Sequence, residues 1–262
     1  MSTPILDVNG LSMDFGGIRA LNRLDLDVKS GEIVALIGPN GAGKTTFFNC
    51  VTGLYNPTAG DIHLNPPDKK TIRLNGLKPN QVTEKGMART FQNIRLFQKM
   101  TVLENVMIGR HCRTRSHIIG AIFRTEATRR EEQETIERSY HLLEKVGLAE
   151  QADEFAGNLS YGAQRRLEIG RALATDPFLL LLDEPAAGMN PQETQDLDQL
   201  INRLQSEGQS ILLIEHDMKL VMSLSHRIFV MDYGTKIAEG TPEEVRSNPD
   251  VIKAYLGDDS DA

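Results

Sequence analysis

The chain has 262 residues, 40% hydrophobic and 25% charged, with no tryptophan and a formal net charge of −7. That is the make-up of a globular protein with room for one full core or two modest ones, and the acidic balance argues against nucleic-acid binding through a broad basic face. The opening "MSTPILDVNG" lacks the basic flank and apolar stretch of a signal peptide, and no apolar run approaches the roughly 20 residues of a spanning helix, so the chain is not expected to cross a membrane by itself.

From the N-terminus, "ILDVNGLSMDF" and "LNRLDLDV" alternate apolar and polar residues. Leu24, Leu26 and Val28 fall on one face and Asp25, Asp27 and Lys29 on the other, as in antiparallel strands with one wet face. "EIVALI" is instead a continuous apolar run, the pattern of a parallel strand buried on both faces. "FLLLLDEP" from Phe178 and "SILLIEHD" from Ser210 repeat it, and "RIFVMDYGTKIAEG" reads as a strand and hairpin turning near Tyr233 and Gly234. Helical patterns lie between these runs. In "NPQETQDLDQLINRLQSEG", Leu197, Leu200, Ile201 and Leu204 share a helical face; Asn190 is the N-cap, Pro191 the first helical residue and Glu193 the capping-box acid. "TPEEV" repeats that start from Thr241, with Glu244 as its acid. Alternating strands and helices predict an α/β fold with a mostly parallel core sheet. "TVLENVMIG" and the face Ile136, Tyr140, Leu143, Val146 predict helices of an inserted subdomain. Cys50 and Cys112 stand apart without metal-ligand spacing, as thiols of a reducing compartment do.

The turn after "EIVALI" matches G-x-x-x-x-G-K-[ST]. Gly38, Pro39, Asn40, Gly41, Ala42 and Gly43 would turn backbone N–H groups toward phosphate oxygens, and the helix opened by Lys44, Thr45 and Thr46 would add its positive end. Lys44 is expected to bridge the β- and γ-phosphates and Thr45 to ligate Mg²⁺. Asp183 and Glu184 end the second buried run. There Asp183 would hold Mg²⁺ through water and Glu184 would polarise the attacking water; the bland alternative is a helix cap. His216 ends the third run. Ligands of an open parallel sheet collect at the carboxyl ends of its strands, so His216 is expected against the γ-phosphate.

"LSYGAQRRLEIGRALATDP", from Leu159, is by itself Ser160 capping a helix on which Leu167, Arg171 and Ala174 are spaced. Standing before "LLLLDEP" in a chain with a phosphate loop, it resembles the signature of the ATP-binding cassette family. The resemblance covers nearly the whole chain. It implies a P-loop ATPase with an N-terminal antiparallel β subdomain and an inserted helical one: residues 1–96 and 158–262 as the two parts of the nucleotide-binding core, and 97–157 as the insert. It also implies that Ser160 and Gly162 cap ATP held by an opposite subunit. Gln92, in "TFQN", matches the family's Q-loop, which joins Mg²⁺ and water to the transmembrane partner. Phe15, in "MDFGG", matches the aromatic that stacks on adenine, and His216 the switch histidine. Tyr161 and Ala163 depart from the commoner Gly and Gln, and Asn190 from the commoner Asp. The stretches "GPNGAGKTTFFNCVTGLYNPTAG", "RTFQNIRLFQKMTVLENV" and "DEPAAGMNP" look most like the ATP-binding subunits of bacterial branched-chain amino acid importers; importers of urea or amides share much of the pattern. The resemblance therefore implies ATP and Mg²⁺ as cofactors and a head-to-tail dimer with a second copy or a sister ATPase. It implies separate permease subunits, an external solute-binding protein as an indirect partner, no nucleic acid, and a peripheral place on the cytoplasmic face of the plasma membrane.

Other P-loop functions fit less well. A small-molecule kinase has no use for a second phosphate-facing motif. A GTPase switch would want an Asn-Lys-x-Asp motif, which the chain lacks, and a DNA-repair cassette would normally insert a coiled coil or a zinc site, whereas the insert has no Cys pair. Within the insert, "GRHCRTRSHIIGAIFRTEATRR" carries six arginines and the apolar run Ile118 to Phe123. Two readings stay open there: contact with a permease or acidic headgroups, or a hairpin with its apolar face buried.

Overall fold

The computed structural model describes residues 3–67, 69–113 and 126–256. The chain opens with two long strands, Leu6–Phe15 (β1) and Ile18–Val28 (β2), followed by Ile33–Ile37 (β3) and the helix Lys44–Val51 (α1). Next come Ala59–Leu64 (β4), Ile72–Arg73 (β5), Pro79–Glu84 (α2), Met87–Arg89 (β6), Val102–Arg110 (α3) and Glu126–Lys145 (α4). Tyr161–Leu173 (α5), Leu179–Asp183 (β7), Pro191–Ser206 (α6), Ser210–Ile214 (β8) and Met218–Leu224 (α7) continue the alternation. Arg227–Asp232 (β9), Thr235–Gly240 (β10), Pro242–Arg246 (α8) and Pro249–Leu256 (α9) close it.

Two sheets result. The alternating strands pair antiparallel in the order β2-β1-β4-β5, with Leu24, Leu26 and Val28 buried and Asp25 exposed, as their pattern predicts. The second sheet runs β10-β9-β3-β8-β7-β6; all its pairings are parallel except that of the edge strand β10. Its three continuous apolar runs are buried at every position because the sheet has a core on each side. Ile33, Ala35, Ile37, Leu180, Leu182, Ile211 and Leu213 face a core shared with α3, α5, α6 and α7. Val34, Leu36, Leu179, Leu181, Leu212 and Ile214 face the other, closed by the antiparallel sheet and α1. Arg227 on β9 ties the two sheets together, donating to Asp27 of β2 at 2.8 Å and to Glu239 of β10 at 3.0 Å.

The predicted helix starts are present. Asn190 Oδ1 accepts the Glu193 N–H at 3.0 Å while Glu193 returns a bond to the Asn190 N–H at 3.1 Å. Thr241 and Glu244 do the same. The face of α4 differs from the periodicity reading. Ser139, Leu143 and Val146 are buried and Ile136 half-buried, whereas Tyr140 is 42% exposed. A small serine fits where α4 approaches its neighbours, and the bulky phenol is left on the wet side. The signature helix α5 packs on α3 and α4. Residues 114–125, with most of the Arg-rich stretch and its apolar run, lie outside the described residues, as do residues 257–262.

Burial raises both thiols, that of Cys50 to about 11, but Cys50 is 2% exposed whereas Cys112 is exposed. The thiolate is the reactive form. A maleimide at neutral pH should therefore label Cys112 in the folded protein and Cys50 only after unfolding, an order readable by mass spectrometry.

Candidate functional site

Strands β7, β8 and β3 are neighbours and parallel, so their carboxyl ends open on one edge. The phosphate loop leaves β3 there. A Cβ on Gly38 would lie 2.1 Å from the Met231 carbonyl oxygen of β9, so only glycine lets the loop pass against that strand. Gly43, at φ 101°, precedes α1, and no side chain caps this helix start. Its free N–H groups and the absence of acid in its first turn leave a positive end for an anion. Lys44 is 6% exposed; its Nζ donates to the carbonyls of Gly38 at 2.6 Å and Pro39 at 2.9 Å. Burial lowers the Lys44 pKa and the Glu184 charge opposes that shift. Thr45 is exposed beside it and Thr46 half-buried. Pro39, Asn40, Gly41 and Ala42 line a cleft shared with Asp250 and Lys253 of α9.

Asp183 ends β7 and is 4% exposed; its Oδ2 accepts from Arg89 Nη2 at 2.6 Å. Arg89 also donates to Asn49 Oδ1 at 2.8 Å and stacks between Phe48 and Phe91. Glu184 follows with φ 47°, a rare value for a residue with a Cβ, and its N–H is held by the Ile214 carbonyl of β8. Both its oxygens are engaged. Gln92 Nε2 donates to Oε2 at 2.7 Å, and His216 Nε2 lies 2.9 Å from Oε1. The structure thus brings together Gln92, Glu184 and His216, three residues the sequence singled out from distant stretches, with Lys44 within electrostatic reach.

The signature residues stand apart from them. Ser160 Oγ accepts the Ala163 N–H at 3.3 Å, and the Gly162 N–H donates to Glu193 Oε1 at 3.1 Å. Among the described residues no hydrogen bond joins Ser160 or Gly162 to Lys44, Asp183 or Glu184. Phe15, 40% exposed, meets Tyr55 edge to face with centroids 5.3 Å apart, which gives an aromatic surface beyond α1.

Several residues at the site escaped the sequence reading. Glu215, 3% exposed, accepts the N–H groups of Ala186 at 2.7 Å and His216 at 2.9 Å, and so fixes the loops after β7 and β8 together. Its place directly before His216 was the available signal. Tyr55 carried none beyond its aromatic character. Arg89 sits three residues before Gln92, and its role appears only once β6 lies beside β7. Tyr255 of α9 stands near the Gly38 backbone, and burial raises its pKa.

The strand order and the glycine-lined cup at its edge make this a P-loop nucleotide hydrolase fold. The ABC transporter profile matches residues 21–187, and the profile of the branched-chain amino acid ATP-binding cassette transporters matches residues 235–261. The high-affinity branched-chain amino acid transport ATP-binding protein LivG of Salmonella typhimurium is 52% identical over 98% of this chain and 100% of its own. BraF of Pseudomonas aeruginosa, of the same description, is also 52% identical over the same shares. A nucleotide-free ATP-binding cassette from an ABC transporter superposes with a TM-score of 0.83 at 32% identity, covering 98% of this chain and 100% of that one. A dimeric cassette in a post-hydrolysis state, bound to ADP and Pi, superposes at 0.74 with 25% identity, over 90% and 98%. The chain belongs to the ABC transporter family, in the branch of the branched-chain amino acid ATP-binding cassettes. As an ABC ATPase subunit it binds and hydrolyses ATP to drive transport.

The Arg89–Asp183 pair is buried on both sides, so removing one partner strands a charge. Arg89→Met should lower the unfolding free energy by about 3–5 kcal/mol, measured by urea denaturation.

Proposed function

We propose that this chain is the ATP-hydrolysing subunit of an importer of branched-chain amino acids. The observation that carries the hydrolytic part is the convergence of Gln92 and His216 on the two oxygens of Glu184, beside the Lys44 cup. The cargo is read from relatives half-identical over their whole length and from the match at residues 235–261. In this reading two cassettes pair head to tail, this chain with a second copy or a sister ATPase. They sit on the cytoplasmic face of the membrane under separate permease subunits, served by an external solute-binding protein. No described helix is long and apolar enough to cross a membrane. Residues 1–96 and 158–262 form the nucleotide-binding core, and the insert 97–157 passes its motion to the permease.

In this reading the work divides among the residues as follows. Phe15 offers a ring face to adenine. The loop Gly38 to Gly43, with Thr45 and Thr46, surrounds the phosphates. Lys44 exchanges the Gly38 and Pro39 carbonyls for phosphate oxygens, which pair its charge more strongly. The hydroxyl of Thr45, the amide oxygen of Gln92 and the carboxylate of Asp183 are hard oxygen donors suited to Mg²⁺. Among the described residues no cluster of three His, Cys, Asp or Glu could hold a metal unaided, so nucleotide oxygens complete the set. Mg²⁺, when bound, supplies charge neutralisation at the phosphates. Glu184 orients the attacking water and takes its proton; to do so one of its two present partners gives way to that water. His216 turns from Glu184 to the γ-phosphate. Ser160 and Gly162 cap the partner's γ-phosphate, Gly162 leaving Glu193 for it.

Three experiments test this reading. Lys44→Ala should lose MgATP binding in a fluorescent-nucleotide titration. Glu184→Gln should bind ATP normally, lose roughly 10²–10⁴-fold in turnover and accumulate as a dimer by scattering; normal turnover would reject the assigned role of Glu184. Co-purified permeases reconstituted with the chain should take up labelled leucine on adding ATP, and uptake of urea or acetamide in its place would reassign the cargo.

A further inference from the structure

Arg165 lies on α5 one turn beyond the signature serine and is 2% exposed. A guanidinium this deep is costly unless its donors are met, and here both terminal nitrogens find partners while Nε has none. Two of its partners come from outside the helix: Nη1 donates to the Phe91 carbonyl at 2.6 Å and Nη2 to the Gln92 carbonyl. Inside the helix it donates to Glu168 at 3.3 Å and to the Tyr161 hydroxyl at 3.2 Å. The same helix grips the loop further on. Glu168 accepts the Arg95 N–H at 3.4 Å and Arg171 donates to the Arg95 carbonyl. Residues 91–96 form neither helix nor strand, so these backbone groups take their partners from α5. Arg165 gives each of the two successive carbonyls its own nitrogen of a rigid planar fork; a lysine would offer one freely turning ammonium on a flexible stem and would not fix that geometry.

From the clamped main chain, Gln92 reaches Glu184 at 2.7 Å. One continuous path therefore runs from the signature end of α5 through Arg165 and Gln92 to Glu184. Tyr161 belongs to it. It stands where glycine is commoner and supplies the phenol oxygen that Arg165 meets, and its ring packs against Gly188, whose φ of 79° favours glycine.

We propose that Arg165, supported by Tyr161, is a positioning residue for hydrolysis: it carries the placement of the signature end of α5 to the Glu184 carboxylate of the same chain. The proposal rests on the reading above, in which Glu184 serves hydrolysis and Ser160 meets nucleotide held by a partner. In a head-to-tail pair each signature touches the other chain's ATP, while Arg165 leads back to its own Glu184. Engagement at one site is thereby felt at the other, which makes turnover depend cooperatively on ATP.

The test uses the full chain with its permease. Arg165→Lys keeps the charge beside Glu168 but loses the fork. Its kcat should fall about 10- to 100-fold, the scale of a misplaced catalytic group, with the Kd for a fluorescent ATP analogue within about two-fold and the Hill coefficient for ATP falling toward one. If Arg165 acts through Gln92, adding Arg165→Lys to Gln92→Ala should cost less than about two-fold more, since coupled residues are not additive. Should the lysine variant fail to fold, Tyr161→Phe removes a single hydroxyl and should lower kcat several-fold at unchanged Kd. A wild-type kcat and Hill coefficient in whichever variant folds, or fully additive losses with Gln92→Ala, would overturn the proposal. Normal hydrolysis by Glu184→Gln would instead reject the reading beneath it. A dead Glu184→Gln alongside a normal Arg165→Lys would reject the role of Arg165 alone.

Discussion

A parallel sheet with a hydrophobic core on each face governs this molecule. Strands β3, β7 and β8 have no wet side, so polar residues enter them only where they end. Because the strands run in one direction, those ends coincide, and the residues that follow them meet. Lys44, Glu184 and His216 come from three separate runs and share one edge for that reason alone. The antiparallel sheet contributes differently. It closes the second core above α1 and presents Phe15 beyond it.

Charge at the site is arranged so that each ionic group already has a partner. Asp183 is matched by Arg89, Glu184 by Gln92 and His216, and Lys44 by two carbonyls. An unpaired charge in such surroundings would cost several kcal/mol. In the proposed function nucleotide chemistry would proceed by exchange of partners, which is gentler than creating contacts from bare groups. Glu193 follows the same logic, holding the Gly162 N–H while it completes the cap of α6.

What could be read from the sequence was what a few neighbouring residues determine. The glycine cup, the capping boxes at Asn190 and Thr241, and the contrast between alternating and continuous apolar runs are all local, and the structure contains each of them. The family resemblance supplied Gln92 and Phe15, whose own residue types say little. The parts that escaped depend on partners far along the chain. Arg89 and Asp183 are 94 positions apart, and Arg165 and the Phe91 carbonyl 74. No window around a buried arginine reveals the backbone oxygen it will hold. The α4 face failed for a related reason: which side of a helix is buried depends on its neighbours, and Ser139 sits inside while Tyr140 does not.

The left-handed backbone at Glu184 has its own consequence. A residue with a Cβ holds that conformation at a cost glycine would avoid, of order 1–3 kcal/mol, yet glycine has no carboxylate. At this one peptide the needs of folding and of chemistry oppose each other. The bend persists because it is pinned from both sides, its N–H by the Ile214 carbonyl at 2.9 Å and its carbonyl by the Ala187 N–H at 3.2 Å. Loosening either pin would let the peptide relax and swing the carboxylate away from Gln92 and His216, so two ordinary main-chain bonds hold the grouping of those three side chains together.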